Sequence, residues 1–109
     1  MEFADYSREA RKTAVYPTLG HPIVYPALGL AGEAGEVVEK VKKAMRDDGM
    51  IITGSRRQEL IKELGDVLWY LAAITDELGT TLEYVALCNI EKLKSRLDRG
   101  VISGQGDNR

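Results

Sequence analysis

The sequence predicts an all-α protein with four helices in one domain. Its 109 residues are enough for one hydrophobic core but not for two, and 44% hydrophobic with 29% charged residues is typical of a globular chain. Apolar residues recur at helical spacing on either side of two loop-like segments, residues 17–26 and 47–55, which contain proline or glycine. The predicted helices cover about residues 2–14, 26–46, 56–78 and 81–98.

Two of the predicted helix starts carry the pattern of a capping box. Ser55 with Gln58, and Thr80 with Glu83, each place a hydroxyl three residues before an amide or a carboxylate. Such a pair satisfies two free N–H groups at a helix start. Gly79 suits the left-handed backbone position that ends the third helix. We therefore expect Ser55 and Thr80 to mark the starts of the third and fourth helices.

The chain ends are expected to differ in order. Residues 1–99 are predicted to form the domain, and residues 100–109 a flexible, glycine-rich tail, or a lid that a ligand orders. No segment resembles a signal peptide or a membrane span. A net charge of −2 gives no general cationic field, so neither nucleic acid nor a membrane is an expected partner. A single cysteine, Cys88, cannot form an internal disulfide, which favours the cytoplasm.

Two segments thirty residues apart share the pattern L-x-x-E-x-G-[E/D]-V. The first contains Glu33 and Glu36, and the second contains Glu63 and Asp66. At about 100° per residue, both acids of each segment lie at one edge of that helix's apolar stripe. If the two helices pack antiparallel about a pseudo-two-fold axis, all four carboxylates converge on one side of the pair.

Converging carboxylates repel one another, so a cation has to compensate their charge. Oxygen ligands without histidine or cysteine select hard divalent ions, and magnesium keeps coordination positions for substrate phosphates. The four acids are therefore candidate magnesium ligands, with manganese as a substitute. The competing interpretation makes them solvated helix flanks that pair with Lys40 or Lys62. Gly35 and Gly65 each cost about 0.5–1 kcal/mol of helix stability relative to alanine, so we expect another backbone or a ligand to approach them.

These motifs resemble the MazG-like branch of the all-alpha nucleotide pyrophosphohydrolases. The signature of that family pairs E-x-x-E on one helix with E-x-x-D on the next, and an Asn-x-x-Lys pair follows on the fourth helix, so the resemblance covers about residues 26–98. It implies a four-helix bundle completed by oligomerisation, as a homodimer or homotetramer. It also implies magnesium-dependent hydrolysis of nucleoside triphosphates to the monophosphate and pyrophosphate, in nucleotide-pool control or housecleaning.

The resemblance implies roles for individual residues. It makes the four acids the metal ligands and places Asn89 and Lys92 at the substrate. Glu36 and Glu63 are the candidates for the general base. Gly32 stands where many members of the family have a further glutamate, which leaves the base and the number of metal ions open. Two other functions remain as alternatives: a non-catalytic regulator that binds nucleotide and metal, and a structural helical oligomerisation module.

Some polar and aromatic residues have a second interpretation. Asn89 falls within the apolar stripe of the fourth helix, so it is either a nucleotide contact or a buried amide bonded to the protein. Arg96 shares its flank, where spacing alone favours a solvated face. Tyr16 and Tyr25 either stack on a nucleotide base or cover the core. Trp69 lies away from the apolar stripe of the third helix and is expected at a contact between subunits rather than as a clamp on the base.

Overall fold

The computed structural model describes residues 1–109 as four α-helices with no strand, which confirms the predicted all-α class. Helix α1 is shorter than expected, because a turn follows it in which the Thr13 hydroxyl donates to the Ala10 carbonyl at 2.7 Å. Pro17 disfavours helical backbone at the residue before it, so the chain stays irregular there. The helices are α1 (Phe3–Arg11), α2 (Val24–Asp47), α3 (Gly54–Glu77) and α4 (Leu82–Asp98).

The helix caps differ from the expected ones. The Thr53 hydroxyl accepts a hydrogen bond from the backbone N–H three residues later at 3.2 Å, and Thr81 does the same at 3.1 Å. Ser55 and Thr80 were therefore the wrong residues. A capping residue keeps an extended backbone, and ψ is 167° at Thr53 and 156° at Thr81. Gly79 has the predicted left-handed conformation, with φ of 68°.

Helices α2 and α3 form an antiparallel hairpin. Near its closed end, Arg56 at the start of α3 pairs with Asp48 just after α2, with Nε 2.8 Å from the carboxylate. At its open end, the ring of Tyr70 lies against Gly29, and a Cβ on this glycine would overlap the ring. The start of α3 therefore lies beside the end of α2, and a later part of α3 lies beside the start of α2.

The close approach in this hairpin is at Gly29 and not at the glycines that the repeat singled out. At Gly35 and Gly65, a Cβ would meet no atom within 4 Å. Within one chain, no other backbone approaches either position, so the first of the two expected groups is absent there. A ligand or a second chain is left as the group that could use the space.

Helix α1 and helix α4 pack on the other side of α3. Arg11 at the end of α1 holds Asp76 with two hydrogen bonds, of 3.1 and 2.8 Å. Helix α4 contacts α1 and α3 but has no contact with α2. The residues of α2 and those of α4 therefore face different surfaces of the molecule.

The chain does not enclose a core by itself. Only 7 of 109 residues are buried, and the radius of gyration of 16.8 Å exceeds the value of about 13 Å for a compact domain of this length. At 100° per residue, five exposed apolar side chains of the hairpin lie across the α2–α3 contact from Glu36 and Asp66. They form an open apolar face of the residues Val38, Val41, Ile61, Leu64 and Leu71. No helix combines the length and the apolar character needed to cross a membrane.

Candidate functional site

Three of the four predicted metal ligands come together where α2 and α3 cross. One carboxylate oxygen from each of Glu33, Glu63 and Asp66 lies within 4.8 Å of the other two. Glu33 and Glu63 are half-buried in the hairpin, and Asp66 is exposed at its edge. Glu36, one turn further along α2, is exposed and lies outside this close group. We refer to Glu33, Glu63 and Asp66 as the acidic cluster.

The acidic cluster carries uncompensated negative charge. Burial raises the pKa of Glu33 above its ordinary value, and the negative charges of the other three predicted ligands raise this pKa further. None of the ion pairs in the structure includes any of the four carboxylates, or Lys40 or Lys62. The structure therefore contains no pair between these acids and the neighbouring lysines, whereas Glu36 and Asp66 are exposed, as on a solvated flank. The cluster has the charge, the oxygen ligands and the spacing that a hard divalent cation requires.

A cleft of about 360 Å³ opens beside the acidic cluster. Two of the clustered acids, Glu33 and Asp66, line it together with Thr13, Trp69 and Tyr70. The Trp69 indole N–H donates to the Thr13 hydroxyl at 2.8 Å, which fixes the ring against the turn after α1. One side of the cleft is therefore acidic and the other is aromatic.

The aromatic side of the cleft continues into a cluster of four half-buried rings. Tyr16 and Tyr25 are stacked, with centroids 5.5 Å apart and planes within 6°. Tyr25 packs on Tyr70 at 6.4 Å, and Trp69 meets Tyr70 edge to face at 5.0 Å. Burial, followed by a 2.6 Å hydrogen bond to Glu77, raises the pKa of Tyr16 to about 12, so its hydroxyl stays protonated.

The cleft includes two residues that the sequence reasoning missed. Tyr70 lies four residues after Asp66, so the helical period alone would have placed both on one flank of α3. Thr13 carried no signal, because its position depends on the turn that ends α1. Trp69 packs within the chain, against Tyr16 and Tyr70; its predicted contact between subunits stays a prediction.

Asn89 and Lys92 lie apart from the acidic cluster within one chain. Both line a separate open concavity of about 470 Å³ on α4, and α4 does not touch α2. Asn89 is exposed, so the alternative of a buried amide bonded within the chain is wrong. The structure thus leaves this pair on a surface that a ligand or another chain can reach.

The flank of α4 also differs from the solvated face that spacing favoured. The Arg96 side chain is buried, and its Nη2 donates to the carbonyl and the carboxylate of Asp107 at 2.6 and 3.1 Å. The Lys92 ammonium donates to the same carboxylate oxygen at 3.0 Å. Residues 100–109, predicted to be flexible or a lid, thus return to α4 through turns and bends.

The two E/D-containing segments and the helices that carry them match a known domain over residues 26–101, described as the MazG nucleotide pyrophosphohydrolase domain. The chain belongs to this family. The match spans α2, α3, α4 and the acidic cluster, so the resemblance inferred from the motifs is confirmed. Its four helices agree with the all-α fold that the resemblance implied.

Two relatives extend the comparison without naming an activity. Gene 37 protein of Mycobacterium phage L5 is 47% identical over 109 residues, which cover 95% of this chain and 96% of the phage protein. Uncharacterized protein YvdC of Bacillus subtilis (strain 168) is 34% identical over 74 residues, 63% of this chain and 70% of that protein. No solved structure matches the chain.

Proposed function

We propose that this protein hydrolyses nucleoside triphosphates to the monophosphate and pyrophosphate. In this proposal magnesium, or manganese in its place, is held by Glu33, Glu36, Glu63 and Asp66. The observation that carries it is the acidic cluster, three carboxylates within 4.8 Å of one another with no basic partner. Membership of the pyrophosphohydrolase domain family supports the reaction class. We expect the reaction in the cytoplasm, in nucleotide-pool control or housecleaning.

The chain offers two different kinds of carboxylate for the chemistry. When bound, magnesium supplies positive charge to phosphate oxygens and lowers the pKa of water at the site. Glu33, Glu63 and Asp66 are close enough to share one cation. Glu36 lies outside that close group, so among the four proposed ligands its carboxylate is the least committed to the cation and the better candidate to accept a proton from the attacking water, with Glu63 as the alternative.

The cleft gives the nucleotide a direction. Its acidic side would face the phosphates through the cation, and the rings of Trp69 and Tyr70 on its other side offer an apolar surface for the base or sugar. Asn89 and Lys92 remain proposed substrate contacts. Because they lie on a separate surface of the same chain, a second copy in a homodimer or homotetramer would have to bring them to the cluster.

Pyrophosphate release with magnesium tests the proposal. The canonical and modified ribo- and deoxyribonucleoside triphosphates are screened first, and the best substrate is used for variants. We expect Glu33→Gln, Glu63→Gln and Asp66→Asn each to lower kcat at least about tenfold, because each removes charge from the site with little change in shape. Glu91→Gln and Asp98→Asn, on exposed positions of α4, are the matched controls and should keep parental activity.

Three results would count against the proposal. If the three cluster variants turn over like the parent and the controls, the acidic cluster is not the active site. If no triphosphate releases pyrophosphate but nucleotides bind with magnesium, the protein is a binding regulator. A protein that binds neither magnesium nor nucleotide would leave the structural oligomerisation module as its function.

A further inference from the structure

Lys92 and Arg96 form a basic pair on one flank of α4, and a carboxylate from the tail lies between them. One oxygen of Asp107 accepts from Lys92 Nζ at 3.0 Å and from Arg96 Nη2 at 3.1 Å. The Arg96 side chain is 7% exposed, whereas that of Asp107 is 77% exposed. A buried guanidinium thus meets an anion that can leave into solvent without breaking any helix.

The pair holds more donor capacity than Asp107 uses. The Arg96 Nε is buried and has no hydrogen-bond partner, and such a donor carries a desolvation cost that another acceptor would remove. A guanidinium presents its donors in a fork that matches two oxygens of one phosphate group. Asp107 uses only Nη2, through its carbonyl and one carboxylate oxygen.

The tail is held in this position by few contacts. Arg109 donates to the carbonyls of Val101, Gly106 and Ile102, at 3.1, 2.6 and 3.1 Å, which closes residues 101–109 into a loop. Arg99, just after α4, donates a hydrogen bond to the Arg109 carbonyl. The other side-chain hydrogen bonds from α4 to this loop are all accepted by Asp107. The loop contains no helix or strand, so displacement of Asp107 would require little reorganisation.

We propose that Lys92 and Arg96 form a phosphate site, and that Asp107 of the tail occupies this site until a phosphate-bearing ligand displaces it. The hydrogen bonds from Lys92 and Arg96 lower the pKa of Asp107, so the competing carboxylate is charged at neutral pH. The tail then acts as an internal competitor: the apparent dissociation constant is the intrinsic one divided by the fraction of chains with the site open. That the natural anion is a phosphate of a nucleotide rests on the proposed function; the competition itself does not.

Binding of inorganic pyrophosphate in the presence of chelator tests the site apart from the acidic cluster and from hydrolysis. Titration calorimetry compares the parent with Asp107→Asn and with Asp98→Asn. The second variant changes the net charge by the same amount at the end of α4, but Asp98 forms no ion pair, whereas Asp107 forms two. We expect Asp107→Asn to bind pyrophosphate at least about fivefold more tightly than the parent, because the competing charge is gone. Asp98→Asn should bind like the parent.

A second variant and a second readout locate the site. Lys92→Gln in the Asp107→Asn background should weaken pyrophosphate binding at least about tenfold. In the parent, pyrophosphate should shift the backbone amide resonances of residues 101–109 towards those of Asp107→Asn. Equal affinities of Asp107→Asn and Asp98→Asn for pyrophosphate would overturn the inference. So would the absence of binding by Asp107→Asn at about 10 mM pyrophosphate. If the binding results are as expected but the parent hydrolyses no nucleoside triphosphate, only the proposed function is overturned.

Discussion

The raised pKa of Glu33 leads to a prediction about stability and pH. Its folded-state pKa lies above the ordinary value of 4.5 because of burial first and neighbouring negative charge second. The native state therefore keeps this proton to higher pH than the unfolded chain, and its ionisation destabilises the fold as pH rises. In chelator at pH 7, Glu33→Gln should melt at a higher temperature than the parent. The difference should shrink as the pH is lowered towards 4, in a series of thermal melts.

Magnesium provides the control for this prediction. Ligand binding adds RT ln(1 + [Mg]/Kd) to the stability of the native state, about 2.7 kcal/mol at a hundredfold excess over Kd. The parent should gain most of this and Glu33→Gln much less, so millimolar magnesium should reverse their order. A parent whose melting temperature does not change with magnesium, with Glu33→Gln less stable in both buffers, would rule out the metal site.

Glu33 and Glu36 show which part of the site could be predicted from the sequence. Helical periodicity put both at one edge of α2, and the same reasoning put Glu63 and Asp66 at one edge of α3. The distances between helices depend on how far α2 and α3 are displaced along each other, which periodicity does not determine. For that reason Glu36 could not be separated beforehand from the other three, and only the structure shows that it lies outside the acidic cluster.

Gly29 and Gly35 allow a matched comparison on one helix. Alanine at Gly29 would overlap the ring of Tyr70, which Tyr25 and Trp69 hold in place, so we expect a loss of about 1–3 kcal/mol. Alanine at Gly35 meets nothing within 4 Å and should stabilise the helix by about 0.5–1 kcal/mol. Urea denaturation measures both. A large loss at Gly35 would show that a second chain or a ligand occupies the space beside it.

At the scale of the elements, the number and approximate extent of the helices followed from hydrophobic spacing and loop residues, and the caps did not. The sequence around the starts of α3 and α4 contains two neighbouring hydroxyl residues each, Thr53 and Ser55 for α3 and Thr80 and Thr81 for α4. The capping-box pattern predicted Ser55, the later residue, for α3 and Thr80, the earlier residue, for α4. The choice depends on which backbone is still extended, and this is set by how the preceding loop enters the helix.

Alanine substitutions at Thr53, Ser55 and Thr81 test the caps. Thr53→Ala and Thr81→Ala should each lower the free energy of unfolding by about 1 kcal/mol, since each leaves a backbone N–H at a helix start without its acceptor. Ser55→Ala, inside the first turn of α3, should stay within about 0.5 kcal/mol of the parent. Chemical denaturation at one protein concentration gives these values. Equal losses for Thr53→Ala and Ser55→Ala would contradict the observed cap.

At the scale of the whole molecule, the family and the all-α class were predictable because they depend on patterns within single segments. The placement of α4 was not, because it depends on contacts between helices far apart in sequence. Arg96 shows the difference: spacing favoured a solvated side chain, whereas the returning tail buries it against Asp107. The proposed proximity of Asn89 and Lys92 to the acidic cluster depends in addition on the association of two or more chains.

The open apolar face leads to the last prediction. Val38 and Leu64 are 67% and 54% exposed, and contiguous apolar surface of this kind is usually covered by a partner. We expect a homodimer or homotetramer of the 12.1 kDa chain, measured by sedimentation velocity at micromolar concentration. Val38→Asp should shift the population to monomer, because a charge in a buried interface is costly. Val15→Asp, at a position 90% exposed outside the helices, makes the same change and should leave the assembly intact. If the parent is a monomer, no second chain brings Asn89 and Lys92 to the acidic cluster, and their proposed contact with the substrate at this cluster is wrong.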